Sequence, residues 1–270
     1  MVTACANTNQ SLRIEALKKE DKMERDELIS HLDEFLGSSH YSDYCPNGLQ
    51  VEGKREIKYI IAGVTANQAL IDVAIERNAD ALLVHHGWFW KNESSRIIGI
   101  RKNRLRSLLT HDINLIAYHF PLDGHIEVGN NAQLARRMDW SVDGRFGDQN
   151  LGYYGNLDDP LSLEILANRV STQLERESLV IGKASRIINR VAWCSGGGQG
   201  FFEQAISLGA DLYLSGEISE QNVHLARETG IAYIAAGHHA TERLGIRALA
   251  SYLAVRFDFA CEFIDIDNPV

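Results

Sequence analysis

Asn78-Ala79-Asp80-Ala81-Leu82-Leu83-Val84-His85-His86 is the stretch on which the fold turns. Ala81 to Val84 is a short, wholly apolar run without polar alternation, so it reads as a buried strand. Strands of that kind sit in parallel sheets covered by helices. The flanking sequence agrees with this reading. Lys58 to Val64 reads as a strand, Asn67 to Arg77 as a helix, Arg101 to His111 as a helix and Asn114 to His119 as a further strand. Before them, Leu28, Ile29, Leu32, Phe35 and Leu36 share one helical face, with Gly37 as the stop. Asp43 to Gln50 reads as an ordered loop. Val128 to Met138 reads as a helix capped by Asn130 or Asn131. Strands alternating with helices at this spacing predict an α/β protein with three-layer lobes and mixed, largely parallel sheets.

The pattern then recurs. Val191-Ala192-Trp193-Cys194-Ser195, a helix, and Leu208-Gly209-Ala210-Asp211-Leu212-Tyr213-Leu214 match Ile60 to Val64, a helix, and Asn78 to Leu83, with Asp80 falling on Asp211. Leu115-Ile116-Ala117-Tyr118-His119 matches Tyr233-Ile234-Ala235-Ala236-Gly237-His238, which sets His119 on His238 and Asp123 on Glu242. Any two strand–helix–strand units look alike in outline, but paired histidines and carboxylates go beyond that outline. Two duplicated lobes are therefore expected, residues 23–139 and 140–270, with the C-terminal part packing back on the first lobe. The Asp- and Gly-rich segment from Trp140 to Leu161 marks the change of unit. Residues 1–22 lack periodicity and read as a poorly ordered extension.

His85-His86 closes a strand, where α/β proteins build their sites. In an extended segment adjacent side chains diverge, so two ions, or a bend, suit the pair better than one ion. His238 and Glu242 lie four apart and share a helical face. Asp123 enters by its match to Glu242. The expected ligand set is His85, His86, Asp123, His238 and Glu242, all nitrogen and oxygen donors, which suits Zn, Fe, Mn, Co or Ni. Three neutral imidazoles and two carboxylates carry a charge of −2, and two divalent ions would leave about +2 for a hydroxide and an anionic substrate. His119 and His125 flank Asp123 and could orient it or carry protons, and His239 points elsewhere. Under the repeat, His85-His86 falls on Gly216-Glu217, so the site draws asymmetrically on both copies.

Composition bounds the class. The chain has 270 residues, 45% hydrophobic and 23% charged, with a formal charge of −9. That content supports a sizeable core, and the acidic balance argues against a nucleic-acid-coating surface. Cys5, Cys45, Cys194 and Cys261 are scattered without a Cys-x-x-Cys pair, which fits a reducing, cytoplasmic setting. The sequence offers neither a membrane span nor a signal core.

Four motifs together resemble a known family: Asn47-Gly48-Leu49-Gln50-Val51-Glu52-Gly53, Leu83-Val84-His85-His86-Gly87, Ala117-Tyr118-His119-Phe120-Pro121-Leu122-Asp123 and Gly237-His238-His239-Ala240-Thr241-Glu242-Arg243. They are similar to the dinuclear-metal-centre proteins called GTP cyclohydrolase 1 type 2 homologues. The closing Phe263 to Pro269 resembles its bacterial members, and the likeness runs from about Met23 to Val270. The resemblance implies two α/β lobes, a toroidal homohexamer and a two-metal site in the cleft between lobes. Its metal ligands would fall on His85, His86, Asp123, His238 and Glu242. The expected activity is a metal-dependent hydrolase, with a metal-bridging hydroxide attacking a nucleotide or other small phosphorylated substrate and His119 or Glu217 moving protons. The alternatives are a non-catalytic metal-binding assembly protein, or a metal-dependent phosphomonoesterase or peptidase. Ser195-Gly196-Gly197-Gly198-Gln199-Gly200 reads first as a tight strand-to-helix turn and second as a phosphate cradle. Trp88, Phe89 and Trp90 read as a packed wall of the cleft.

Overall fold

The computed structural model describes residues 22–257 and 260–270. Apart from Lys22, the expected N-terminal extension lies outside the described residues. A short strand β1 (Met23–Glu24) leads into α1 (Arg25–Leu36), which buries Leu28, Leu32 and Leu36 at helical spacing. Gly37 ends α1 in the left-handed conformation, φ 63°, and returns its N–H to the carbonyls of Asp33 and Glu34. There follow β2 (Gly48–Val51), β3 (Glu56–Ile57), β4 (Tyr59–Thr65), α2 (Gln68–Glu76) and β5 (Ala81–His86). Asn67 caps α2 by accepting from the Leu70 N–H. The first half closes with α3 (Gly99–Thr110), β6 (Asn114–Ala117), α4 (Phe120–Gly124) and α5 (Asn130–Met138).

The second half begins with β7 (Gly144–Phe146), β8 (Gly152–Ser162), α6 (Leu163–Gln173), β9 (Leu179–Ile181) and β10 (Ile187–Cys194). It continues through α7 (Phe202–Ser207), β11 (Leu212–Ser215), α8 (Glu220–Thr229) and β12 (Ala232–Ala235). The long α9 (His238–Phe257) and β13 (Ala260–Phe263) end it. Among the described residues one sheet has the order β13-β4-β5-β6-β2, parallel except at β2. A second large sheet has the order β7-β8-β10-β11-β12-β9, with parallel β10, β11 and β12 flanked by antiparallel β8 and β9, and β1 pairs with β3 in a small two-stranded sheet. Both large sheets are covered on both faces, as expected of a mixed, largely parallel α/β protein. No described helix is long and apolar enough to cross a membrane.

The repeat reaches individual bonds. Asp80 Oδ2 accepts from the Lys58 and Tyr59 N–H groups at 2.9 and 3.1 Å, and Asp211 Oδ2 accepts from Asn189 and Arg190 at 2.9 and 3.1 Å. Each residue number rises by 131 (80 to 211, 58 to 189, 59 to 190). The expected pairing of the later histidines is off by one, however. Val84 pairs with Ala117 and its counterpart Ser215 pairs with Ala235, so the third strand is offset by 118 and His119 falls on Gly237. Matching His to His had hidden the slip. Helices α4 and α9 start at equivalent places, Phe120 and His238, but Asp123 stands three residues into its helix and Glu242 four.

The two lobes exchange helices. Ala132, Leu134, Ala135 and Met138 of α5 join the core of the second sheet with Leu163, Val191 and Leu212. Conversely, Ile246, Leu249 and Leu253 of α9 join Leu28, Ile60 and Leu83 of the first. The helices meet where Gly245 abuts Asn130, and a Cβ at 245 would stand 2.4 Å from Asn130 Oδ1. Two expectations change here. Asn130 and Asn131 do not cap α5, whose N-cap is Gly129; both are buried. Gly48, Leu49 and Gln50 are not loop but part of β2, an edge strand paired antiparallel to β6.

Asp80 also pairs with Lys54. Asp80→Ala should therefore destabilise the protein by about 1–2 kcal/mol, because two part-buried N–H groups lose their acceptor. Asp211→Ala should cost less, since its side chain is 27% exposed against 12% for Asp80. Urea midpoints at constant slope measure both; equal or reversed losses would contradict the ranking.

Candidate metal centre

Four chain segments converge at the carboxyl ends of parallel strands: the end of β5, α4 after β6, the turn after β10, and the start of α9 after β12. His85 Nε2 lies 3.6 Å from Asp123 Oδ1 and 3.5 Å from Glu242 Oε1. His86 Nε2 and His238 Nε2 each lie 3.1 Å from Glu242 Oε2. The five residues thus form two ligand groups, His85-Asp123-Glu242 and His86-His238-Glu242, with donor atoms inside each group all within 4.8 Å of one another. Glu242 belongs to both groups, one oxygen to each. The imidazoles of His86 and His238 approach Oε2 out of hydrogen-bond alignment, so this buried oxygen has no hydrogen-bond partner, the condition of a lone pair reserved for something else. Donor set and orphaned atom both fit divalent cations.

The far side of each imidazole is fixed. His85 Nδ1 donates to the Tyr118 carbonyl at 2.9 Å, His238 Nδ1 lies 2.7 Å from Glu217 Oε1, and His86 Nδ1 lies 3.3 Å from Thr65 Oγ1. Each Nε2 is thereby aimed at the centre, as metal-ligating histidines usually are. Asp123 Oδ1 accepts from Asn130 Nδ2 at 2.9 Å and Ser195 Oγ at 3.2 Å. Asn130 Oδ1 in turn accepts from the Gly245 N–H at 2.9 Å, so the helix crossing and the carboxylate share one amide.

His119 lies beside His85 and His86 with a nitrogen in reach of theirs. Its Nδ1 contacts Asp43 Oδ1 at 2.7 Å, and its ring lies between Trp90 and Phe120. Glu217 stands behind His238 and also accepts from Gln199 Nε2. His125 does not orient Asp123: its Nδ1 accepts from the Glu127 and Val128 N–H groups and its ring lies on Phe35. His239 turns away to Asp265. Sequence reasoning missed Asp43, Thr65, Asn130 and Ser195 as partners of the site. Only Asp43 carried a signal, lying four residues before the Asn47-Gly48-Leu49 motif.

Charge and burial oppose each other here. Burial alone would raise the Glu242 carboxyl, but His86, His85 and His238 hold it well below the carboxylate range. Burial disfavours the His85 imidazolium, yet Asp123 and Glu242 outweigh it and lift the group to about 9. His238, likewise desolvated, is lifted to about 9 by Glu242 and Glu217. His86 is lowered, chiefly by burial. Asp43, though buried, is held down to about 2 by His119, Asn47 and the Phe120 N–H. Cys45 also reaches His119, and burial pushes its thiol up to about 12.

The centre opens on a cleft of about 700 Å³ lined by both lobes. Gly196, at φ 58°, lies directly on Glu242, and a Cβ there would stand 1.9 Å from Oε1. The Ser195–Gly200 turn is therefore the backbone wall behind the shared carboxylate. Trp88 is buried and donates to the Ala66 carbonyl, Trp90 lines the cleft, and Phe89 turns outward under Arg101.

Fold and site define a two-lobed α/β protein with a histidine–carboxylate cluster that could hold metal in a shared cleft. The chain belongs to the Duf34/NIF3 (NGG1p interacting factor 3) family, whose model matches residues 23–269. A relative from Allochromatium vinosum named GTP cyclohydrolase 1 type 2 homolog is 51% identical over 244 residues, covering 90% of this chain and 96% of that one. One of the same name from Neisseria meningitidis serogroup A is 53% identical, covering 91% and 98%. Among solved structures, protein ybgI, of unknown function, superposes with a TM-score of 0.89 at 48% identity, covering 92% and 100%. TTHA1606 from Thermus thermophilus follows with 0.81 at 36%, covering 92% and 99%.

Folded His85 and His238 keep their protons to about pH 9, whereas unfolded imidazoles release theirs near 6.5. Between those values the folded state binds more protons, so metal-free protein should lose stability as pH rises from about 6.5 to 9. Denaturant midpoints of chelator-treated protein that climb across this window would contradict the assignment.

Proposed function

We propose that this chain is a dinuclear metal-dependent hydrolase, acting on a nucleotide or other small phosphorylated substrate. The observation that carries the reading is the division of Glu242 between two ligand groups, one oxygen to each. His85, Asp123 and Glu242 would hold one divalent ion, and His86, His238 and Glu242 the other. Ions so held would supply Lewis acidity, acidifying a water and polarising a substrate oxygen at neutral pH. The name borne by the 50%-identical relatives, GTP cyclohydrolase 1 type 2 homolog, is consistent with a purine nucleotide as the substrate.

The chain's own residues then have distinct tasks. Asp123 is oriented by Asn130 and Ser195, and His238 by Glu217. This geometry favours Glu217 as a positioning residue rather than a proton carrier. His119, with Nδ1 against Asp43, has its other nitrogen free to take or give a proton at Nε2, which suits a general acid or base. Trp90 and Phe120 line the cleft and present apolar surface that would exclude water from a bound substrate. Assembly as a homohexamer belongs to the same reading: Ile97, Ile98 and Ile100 are each more than half exposed and offer an apolar surface to bury. The described cysteines, Cys45, Cys194 and Cys261, are all free, consistent with a reducing cytoplasm.

Elemental analysis of purified protein should give about two ions per chain. Glu242→Ala should reduce both sites to near zero, whereas His238→Ala should keep about one; two ions retained by Glu242→Ala would sink the shared-carboxylate reading. Metal-loaded protein screened against GTP, phosphomonoesters and small peptides, with His85→Ala as control, should hydrolyse one class at least 100-fold faster than the control. Equal turnover by the control would mean a contaminant.

A further inference from the structure

The cleft contains a cation that the metal reading leaves unused. Arg104 of α3 lines the same cleft as His86, His119 and Glu242. Its Nε is buried without a hydrogen-bond partner, and among the described residues Arg104 forms no ion pair, although Arg101, three residues earlier, is tied to Glu93. A guanidinium keeps its charge in any folded protein, and a buried N–H donor without an acceptor destabilises the fold. Among the described residues the terminal nitrogens of Arg104 carry no hydrogen bond either, and a ligand oxyanion in the cleft would satisfy that fork. The planar fork of arginine matches the paired oxygens of a phosphoryl or carboxylate group better than it matches water. Trp90, Phe120 and Phe201 line the same cleft and present flat apolar surfaces suited to a ring.

We propose that Arg104 is the oxyanion anchor of this cleft, and that the substrate class is an aromatic compound carrying a phosphoryl or carboxylate group remote from the atom attacked. The proposal rests on the reading of the histidine–carboxylate cluster as the reacting centre, and it adds the residue that selects the substrate. Arg104 acts by binding and takes no part in the chemical step. Its removal should therefore raise KM for a charged substrate far more than it lowers kcat.

The test is calorimetric titration of phenyl phosphate, benzoate and phenol into wild-type, Arg104→Gln and Arg104→Lys protein, each zinc-loaded and chelator-treated. Wild-type protein should prefer phenyl phosphate over phenol in both states. Arg104→Gln should lose that preference by about tenfold to a hundredfold, with zinc content unchanged and melting temperature no lower. Arg104→Lys should fall between the two, because it keeps the charge and loses the fork. A loss confined to phenyl phosphate assigns the phosphoryl group, and one shared with benzoate assigns either oxyanion; both support the anchor. An unchanged preference in Arg104→Gln, or in Arg104→Lys if the glutamine variant does not fold, overturns it. Wild-type protein that binds no zinc while keeping the Arg104-dependent preference would sink the metal reading alone.

Discussion

The carboxylate of Glu242 is the constraint around which the molecule is organised. It is 3% exposed, and an ionised group at that depth is tolerated only where opposite charge surrounds it. The imidazoles of His85, His86 and His238 do so. Two of the imidazoles, His85 and His86, come from the first lobe and one from the second, while Gly196 presses on the same carboxylate from the β10 turn. Neither lobe could bury this charge by itself. The fold therefore has reason to hold the two sheets in one fixed relation.

The helix exchange supplies that relation. If α5 covered its own sheet, Asn130 would be far from Gly245; because α5 and α9 each cross to the other sheet, the two residues meet. A side chain larger than hydrogen at 245 would push α9 off Asn130 and move Glu242, three residues earlier, with it. Asn130 then transmits the crossing to Asp123 through its amide. Packing and ligand geometry are thus one problem, set by a buried amide that bonds Asp123 and Gly245 at 2.9 Å each.

How much of this could be read beforehand differs by the physics involved. Buried parallel strands are apolar in runs, so Ala81–Val84 and Leu212–Leu214 were legible, as was the Gly37 stop. The fold class followed from them. The edge strand Gly48–Val51 was not, because an edge needs only one paired side and its Asn, Pro and Gly surroundings read as loop. The five histidines and carboxylates that meet in the cleft were visible as residue types at strand ends. Their supporting partners were not, since Asn130, Thr65 and Ser195 are ordinary polar residues until tertiary contacts give them a task. The one-residue slip between His119 and His238 was invisible for a related reason. Chemical likeness aligned the histidines, whereas the sheet hydrogen bonds align His119 with Gly237.

That slip explains the asymmetry of the site. Both copies begin a helix at the equivalent residue, but the second places its histidine on the first helical residue and its carboxylate four further on, where both face one point. The first copy puts its histidine before the helix, so His119 points beside the cluster and is held by Asp43, leaving Asp123 to enter without it. The first copy compensates with the tandem His85-His86, at the place where the second has Gly216-Glu217. Glu217 there does not reach the cluster; it holds His238 from behind. One repeated pattern, shifted by a residue and lacking one pair in its second occurrence, thus yields a donor set of unlike halves. One ligand group has a single imidazole and two carboxylates and the other two imidazoles and the shared carboxylate, so two ions held there would meet different charge. A symmetric duplication would have held both alike.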